Sequence, residues 1–214
     1  MKSSSSAPLS LPDFERIFRT IHGVLLNERC DPSSSCLFFG VIGAAILQKH
    51  HDLPANTVVG AAGYNFGRSA DDVLVFAEPP PSSPQSTTNA FHCWTEVNGW
   101  AVDFQSPLFS ERGFQVDLSL PVPRYMLQKP LQDASESMWG LGTPKAYWYE
   151  RNQLLETQLL AGFYSRPAYV DLLKICVDWY QPHPKQMTEC IGIGNQHNEV
   201  TPVRQSHIKL NGAW

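Results

Sequence analysis

Apolar residues recur at helical spacing at Phe14, Ile17, Phe18, Ile21, Val24 and Leu25, after Pro12 and Asp13 and before Asn27, and predict a first helix. Asp31-Pro32-Ser33-Ser34-Ser35, a run of turn formers and N-cap residues, leads into an unbroken apolar segment from Cys36 to Leu47. That segment predicts a second helix, central because it is apolar on all sides, with Cys36 in its first turn and with Gly40 and Gly43 open to close backbone approach. Thr57 to Tyr64 and Asp72 to Ala77 read as strands, and the Pro/Ser/Thr-rich stretch from Glu78 to Thr88 reads as a loop. Phe91 to Val97 and Trp100 to Gln105 alternate around Asn98-Gly99, the strongest short-range signal for a β-hairpin. A strand around Arg124 to Gln128 and helices over Tyr147 to Ala161 and Pro167 to Tyr180 follow from the same periodicities. From Gln181 onward the pattern is hard to read, and no internal repeat is found. The fold class expected is α+β.

Bulk properties narrow the picture. Over 214 residues nothing resembles an interdomain linker, so a polar tail (1–10) followed by one domain (11–214) is expected. Hydrophobic residues at 43% and aromatics at 11% suffice to exclude water from a cleft. A net charge of -4 gives no electrostatic footprint for nucleic acid or an anionic membrane. Met1-Lys2 and Ser3 to Ser6 lack the apolar region of a secretory signal, and the longest apolar run, Leu37 to Leu47, is far short of the ~20 residues that span a bilayer as a helix. A cytoplasmic protein is expected. The five cysteines are an odd number without a C-x-x-C pair, which points neither to a disulfide framework nor to a four-thiolate zinc site.

The hairpin brings chemistry into view. Side chains alternate across a strand, so His92, Trp94 and Glu96 share one face. With Asn98-Gly99 as a two-residue turn, Val97 pairs with Trp100, Glu96 with Ala101, Trp94 with Asp103 and His92 with Gln105. Asp103 therefore lies on the face of His92, diagonally across and within reach of a hydrogen bond. Acyl transfer through sulfur needs a thiolate, a proton carrier and a group that fixes the carrier's tautomer; Cys36, His92 and Asp103 supply one of each. A helix N-terminus and an adjacent imidazolium both favour the thiolate, and the first-turn amides, that of Cys36 foremost, can face an oxyanion.

Cys36 opening a buried helix, then His92, Trp94 and Glu96 on one strand, then Gly99, Trp100 and Asp103 on the next, resembles the transglutaminase-like superfamily. The resemblance covers Cys36 to Gln105, and the hairpin is its specific part. It implies a papain-like fold, with the nucleophile helix packed on an antiparallel sheet that carries base and acid. It also implies a Cys-His-Asp triad acting without cofactor on an amide, peptide or ester bond of a peptide or small amide substrate, by hydrolysis or acyl transfer; an uncharacterised bacterial branch of the superfamily fits. Two positions depart from related patterns: Leu37 stands where members often have Trp, and Cys30 where papain-type enzymes have Gln. The second oxyanion donor is therefore unassigned, with Tyr64 and Gln105 as candidates and Trp94 as a core or cleft-wall residue.

Other readings stay open beside this one. The same scaffold could bind a peptide or small amide without turning it over, and His92–Asp103 could be a purely structural pair. A zinc site would draw on His50, His51, His92 and Cys93, although adjacent His-His and His-Cys pairs lack the spacing that aims two ligands at one ion. Cys93 points away from the His92 face and is expected to be a buried bystander, and a Cys30–Cys36 disulfide would need favourable geometry across the intervening turn.

Overall fold

The computed structural model describes residues 6–67, 72–78, 85–111, 122–194 and 197–214. Helix α1 (Leu11–Asn27) begins where the Ser10 side chain accepts from the Asp13 amide with Pro12 in the first turn, and it buries Phe14, Ile17, Phe18, Ile21, Val24 and Leu25. A single 3-10 turn (Pro32–Ser34), capped by the Asp31 carboxylate on the Ser33 amide, leads into α2 (Cys36–His51). α2 is buried along most of its length and ends at Asp52, whose φ of 51° is a left-handed stop.

The main sheet comprises β1 (Asn56–Asn65), β2 (Val73–Phe76), β3 (His92–Val97), β4 (Trp100–Asp103), β5 (Tyr125–Pro130), β6 (Tyr147–Arg151) and the short β9 (Gly212–Ala213). All named pairings in it are antiparallel except that of β5 with β9. The hairpin has the expected register, Val97 opposite Trp100 and Glu96 opposite Ala101, with Asn98 at φ 50° and Gly99 at φ 81°. Helices α3 (Gln153–Tyr164) and α4 (Pro167–Trp179) come next, then a separate two-stranded sheet of β7 (Cys190–Gly194) and β8 (Val200–Arg204). The architecture is α+β, and no helix among the described residues is long and apolar enough to cross a membrane.

Two expectations need correction. The helix expected from Tyr147 begins at Gln153: Tyr147, Trp148 and Tyr149 are aromatic strand formers paired with β1, and Asn152 caps α3 by accepting from the Leu155 amide. β4 stops at Asp103 rather than Gln105, because the Asp103 carboxylate accepts the Gln105 amide and folds the chain into a turn; the expected His92–Gln105 strand pairing is not formed. The stretch after Gln181, hard to read in the sequence, holds β7, β8 and β9.

The sheet is covered unequally. α1, α2 and α4 pack with Val97, Val102 and Phe104 in one core, while Val58, Ala62, Tyr64, Phe76, Trp94, Ala101 and Leu127 form another. α2 lies close on its face, since a Cβ on Gly40 would collide with the Cys93 sulfur and one on Gly43 with the Phe104 ring. The Gly40 carbonyl also accepts from Thr95 Oγ1 at 3.1 Å.

Candidate active site

His92 owes its position to a break in one edge of β1. Gly60 pairs with both His92 and Arg151, and Ala62 with both Phe76 and Tyr149, so β6 occupies one edge while β3 and β2 succeed one another along the other. Phe76 ends β2 and His92 starts β3, two β1 positions apart, and the period-two rule sets them on one face. Their rings stack at 4.2 Å between centroids and 21° between planes, with Phe109 and Tyr64 closing edge-on. His92 is fully buried.

Asp103 collects three donors. His92 Nε2 lies 2.6 Å from Asp103 Oδ2, and with two other donors already on this carboxyl group the imidazole N–H is the donor that fits. Tyr64 Oη donates to the same oxygen at 2.9 Å, and the Gln105 amide donates to Oδ1 at 3.0 Å. A carboxylate with no water contact needs such partners, and all its neighbours here are themselves buried. The second imidazole nitrogen, Nδ1, is buried without a hydrogen-bond partner. The ring is thus anchored through one nitrogen and unengaged at the other.

Cys36 is nearly buried in the first turn of α2 and packs with Val59, Cys93 and Leu155. These lie on the helix-covered face, opposite the face of His92. What relates the helix tip to the pair is the end of the hairpin. Gln105, two residues past Asp103, donates through Nε2 to the carbonyls of Pro32 at 3.0 Å and Ser33 at 2.9 Å, in the turn that leads into Cys36. His92 is the first residue of its strand, and Cys93 beside it packs in the group that holds Cys36. Ser35 does not cap α2; its hydroxyl donates to the Asp31 carbonyl instead, so no side-chain oxygen from that position covers the first-turn amides.

Burial first, and then the charges of Cys36, Asp103 and Glu156, push the Cys93 thiol well above its ordinary range. Cys93 is buried and faces α2, away from His92, as its direction on the strand predicts. The same ordering, burial then the Asp103 charge, raises the Tyr64 phenol well above its ordinary range and keeps it a donor.

The oxyanion candidates take different roles. Tyr64 gives its proton to Asp103, and Gln105 directs both amide hydrogens at backbone carbonyls, so neither has a donor left for an oxyanion. Trp94 is core, its indole N–H donating to Glu96 at 3.0 Å and its ring against Tyr149. Glu96 reaches, with Arg151 and Glu156, a cavity of about 520 Å³ that none of Cys36, His92 and Asp103 lines. The side chains considered for a zinc site are engaged separately: His50 with the Val177 carbonyl, His51 with Tyr180, His92 with Asp103 and Cys93 against Gly40. Among the described residues no three His, Cys, Asp or Glu are grouped to hold a metal ion. Cys30 is exposed and in no disulfide.

Sequence reasoning missed the Tyr64–Asp103 bond and the Phe76–His92 stack. Tyr64 lies at an even separation from Val58 and Ala62, which fixes its face, but nothing local says that β1 runs on past β3. The loop expected at Glu78 to Thr88 and the stretch from Phe109 to Pro121 lie partly outside the described residues.

Known proteins similar to this chain carry little functional information. A family profile described as "Protein of unknown function (DUF2026)" matches residues 10–214. A crystal structure described only as that of a genomics target is similar over 99% of this chain and 100% of its own, at 30% identity and a TM-score of 0.86. No curated protein matches the chain.

Proposed function

The chain belongs to the DUF2026 family, and we propose that it is a cysteine-dependent acyl-transfer enzyme on a papain-like, transglutaminase-like variant of the α+β fold. Its substrate is a peptide or small amide, and hydrolysis is the favoured outcome. The observation that carries this reading is the buried His92–Asp103 bond of 2.6 Å, which leaves Nδ1 without a partner at the strand end tied through Gln105 to the tip of the Cys36 helix.

For this chemistry the Cys36 sulfur must reach His92 Nδ1 around the start of β3; in the first step the thiol proton then passes to Nδ1, and the thiolate adds to the substrate carbonyl carbon to form a C–S bond. The negative oxygen is met by amides of the first turn of α2, a role supported by the diversion of the Ser35 hydroxyl to Asp31. The C–N bond then breaks, the leaving nitrogen takes the proton from His92, and a Cys36 thioester remains. Water adds to the thioester as His92 takes its proton, the C–S bond breaks, and the carboxylic acid leaves while the proton returns to sulfur. Asp103 holds the ring throughout and balances the imidazolium. Tyr64 keeps Asp103 in place, and Gln105 joins strand end to helix tip.

Incubation with p-nitrophenyl acetate tests this. The expected result is a burst of p-nitrophenol with an acetyl group on Cys36 by mass spectrometry, absent in Cys36→Ala and much slower in His92→Ala. Acetylation spread evenly over cysteines and lysines would favour a scaffold that binds without turnover.

A further inference from the structure

We infer that Tyr64 is a positioning residue that sets how strongly Asp103 holds His92, a role that rests on the acyl-transfer reading of the site. Two donors converge on one oxygen: His92 Nε2 at 2.6 Å and Tyr64 Oη at 2.9 Å from Asp103 Oδ2. Each donor stabilises the charged carboxylate and lowers the basicity left for the other, so each bond is weaker than it would be alone. The phenol is fully buried in a ring of Phe66, Phe76, Phe109, Tyr149 and Trp214, and it has no water to turn to. Tyr64 is thus fixed as a competitor for the carboxylate. It tempers a short His–Asp bond that would otherwise hold the imidazolium too firmly for the proton to be handed on.

The titratable groups packed around the pair limit the alternatives. From β6, Tyr149 stands edge-on to Tyr64 and is the phenol beside it, feeling the Asp103 charge and Tyr64 itself, while its hydroxyl does not bond to Asp103. Cys93 adjoins His92 on β3 but faces α2, and Glu156 from α3 is held by Arg151 and the Val59 amide. Cys36 belongs to the helix tip. Among these, Tyr64 is the one whose hydrogen bond ends on Asp103.

Two measurements test the inference. The first is the low-field proton resonance of the His92–Asp103 bond in histidine-labelled protein, identified by its loss in His92→Ala. Tyr64→Phe is expected to move it further downfield, and 3,5-difluorotyrosine at position 64, a stronger donor of the same shape, to move it upfield. The second is the pH midpoint of deacylation of the acetyl-enzyme, which needs neutral His92 as base. Tyr64→Phe should raise that midpoint by about one pH unit, and difluorotyrosine should lower it. Tyr149→Phe, which removes a hydroxyl beside Tyr64 and none bonded to Asp103, should move both by clearly less than Tyr64→Phe. Shifts absent in both Tyr64 variants, or equal in Tyr149→Phe, would overturn the role given to Tyr64. Failure to form any acetyl-enzyme in the unmodified protein would overturn the acyl-transfer reading instead, with the resonance still reporting on Tyr64.

Discussion

The side-chain amide of Gln105 donates to the Ser33 carbonyl at 2.9 Å across 72 positions of sequence. Because its backbone amide also holds Asp103, this residue joins the turn before Cys36 to the carboxylate that anchors His92. The amide orientation is set by its partners, since a reversed group would put Oε1 against two carbonyl oxygens.

Gln105→Leu is therefore expected to remove both side-chain hydrogen bonds to the turn before Cys36, the Pro32 carbonyl keeping the Ser35 amide, and to cost roughly 1–2 kcal/mol of stability. It should also reduce the reactivity of Cys36 more than that of any other cysteine. Denaturant unfolding and mass-mapped alkylation read the two effects separately.

Asp103→Asn keeps the shape but cannot balance an imidazolium, and acylation should fall by about 10²-fold or more with the fold intact. Asp103→Ala removes the partner of three buried donors at once and should lose roughly 3 kcal/mol as well. Acylation rates and unfolding midpoints of the two variants distinguish chemistry from stability.

The hairpin part of this site is legible in the sequence because Asn98-Gly99 fixes the register and the register fixes which side chains share a face. Cys36 is legible as a helix-opening residue because turn formers precede an apolar run. The aromatic enclosure is not, because it depends on β2 and β3 lying end to end along β1, a long-range fact that no local pattern encodes. Tyr147 to Arg151 reads wrongly as helix because its short run of aromatics joins directly onto the capped helix α3 and blends into that helix's periodicity.

Gly40 faces the Cys93 sulfur, so Gly40→Ala should overpack the α2–β3 contact at a cost of about 1–3 kcal/mol. Removing the sulfur in Cys93→Ala makes room. The double variant should lose less stability than the sum of the single ones, by about 1 kcal/mol in a double-mutant cycle.

Acid should weaken the fold. Burial holds the imidazoles of His22 and His51 below their ordinary value of 6.5. Below about pH 6.5 the unfolded chain takes up protons that the folded one refuses, so stability present above that pH is lost as pH falls through the lower folded values. The loss is at most about 1.4 kcal/mol per pH unit for each proton. Unfolding midpoints measured between about pH 7.5 and 5.5 should fall, and less steeply in His22→Gln.

The reactivity of the thiols speaks most directly to the chemistry. Brief treatment with iodoacetamide near neutral pH, with peptide mapping afterwards, should label Cys36 at least about 10²-fold faster than Cys93 or Cys176, whose thiols burial holds well above their ordinary range. That advantage should collapse in His92→Ala. Equal labelling of the three cysteines, or a Cys36 rate indifferent to the loss of His92, would contradict a thiolate nucleophile served by that histidine.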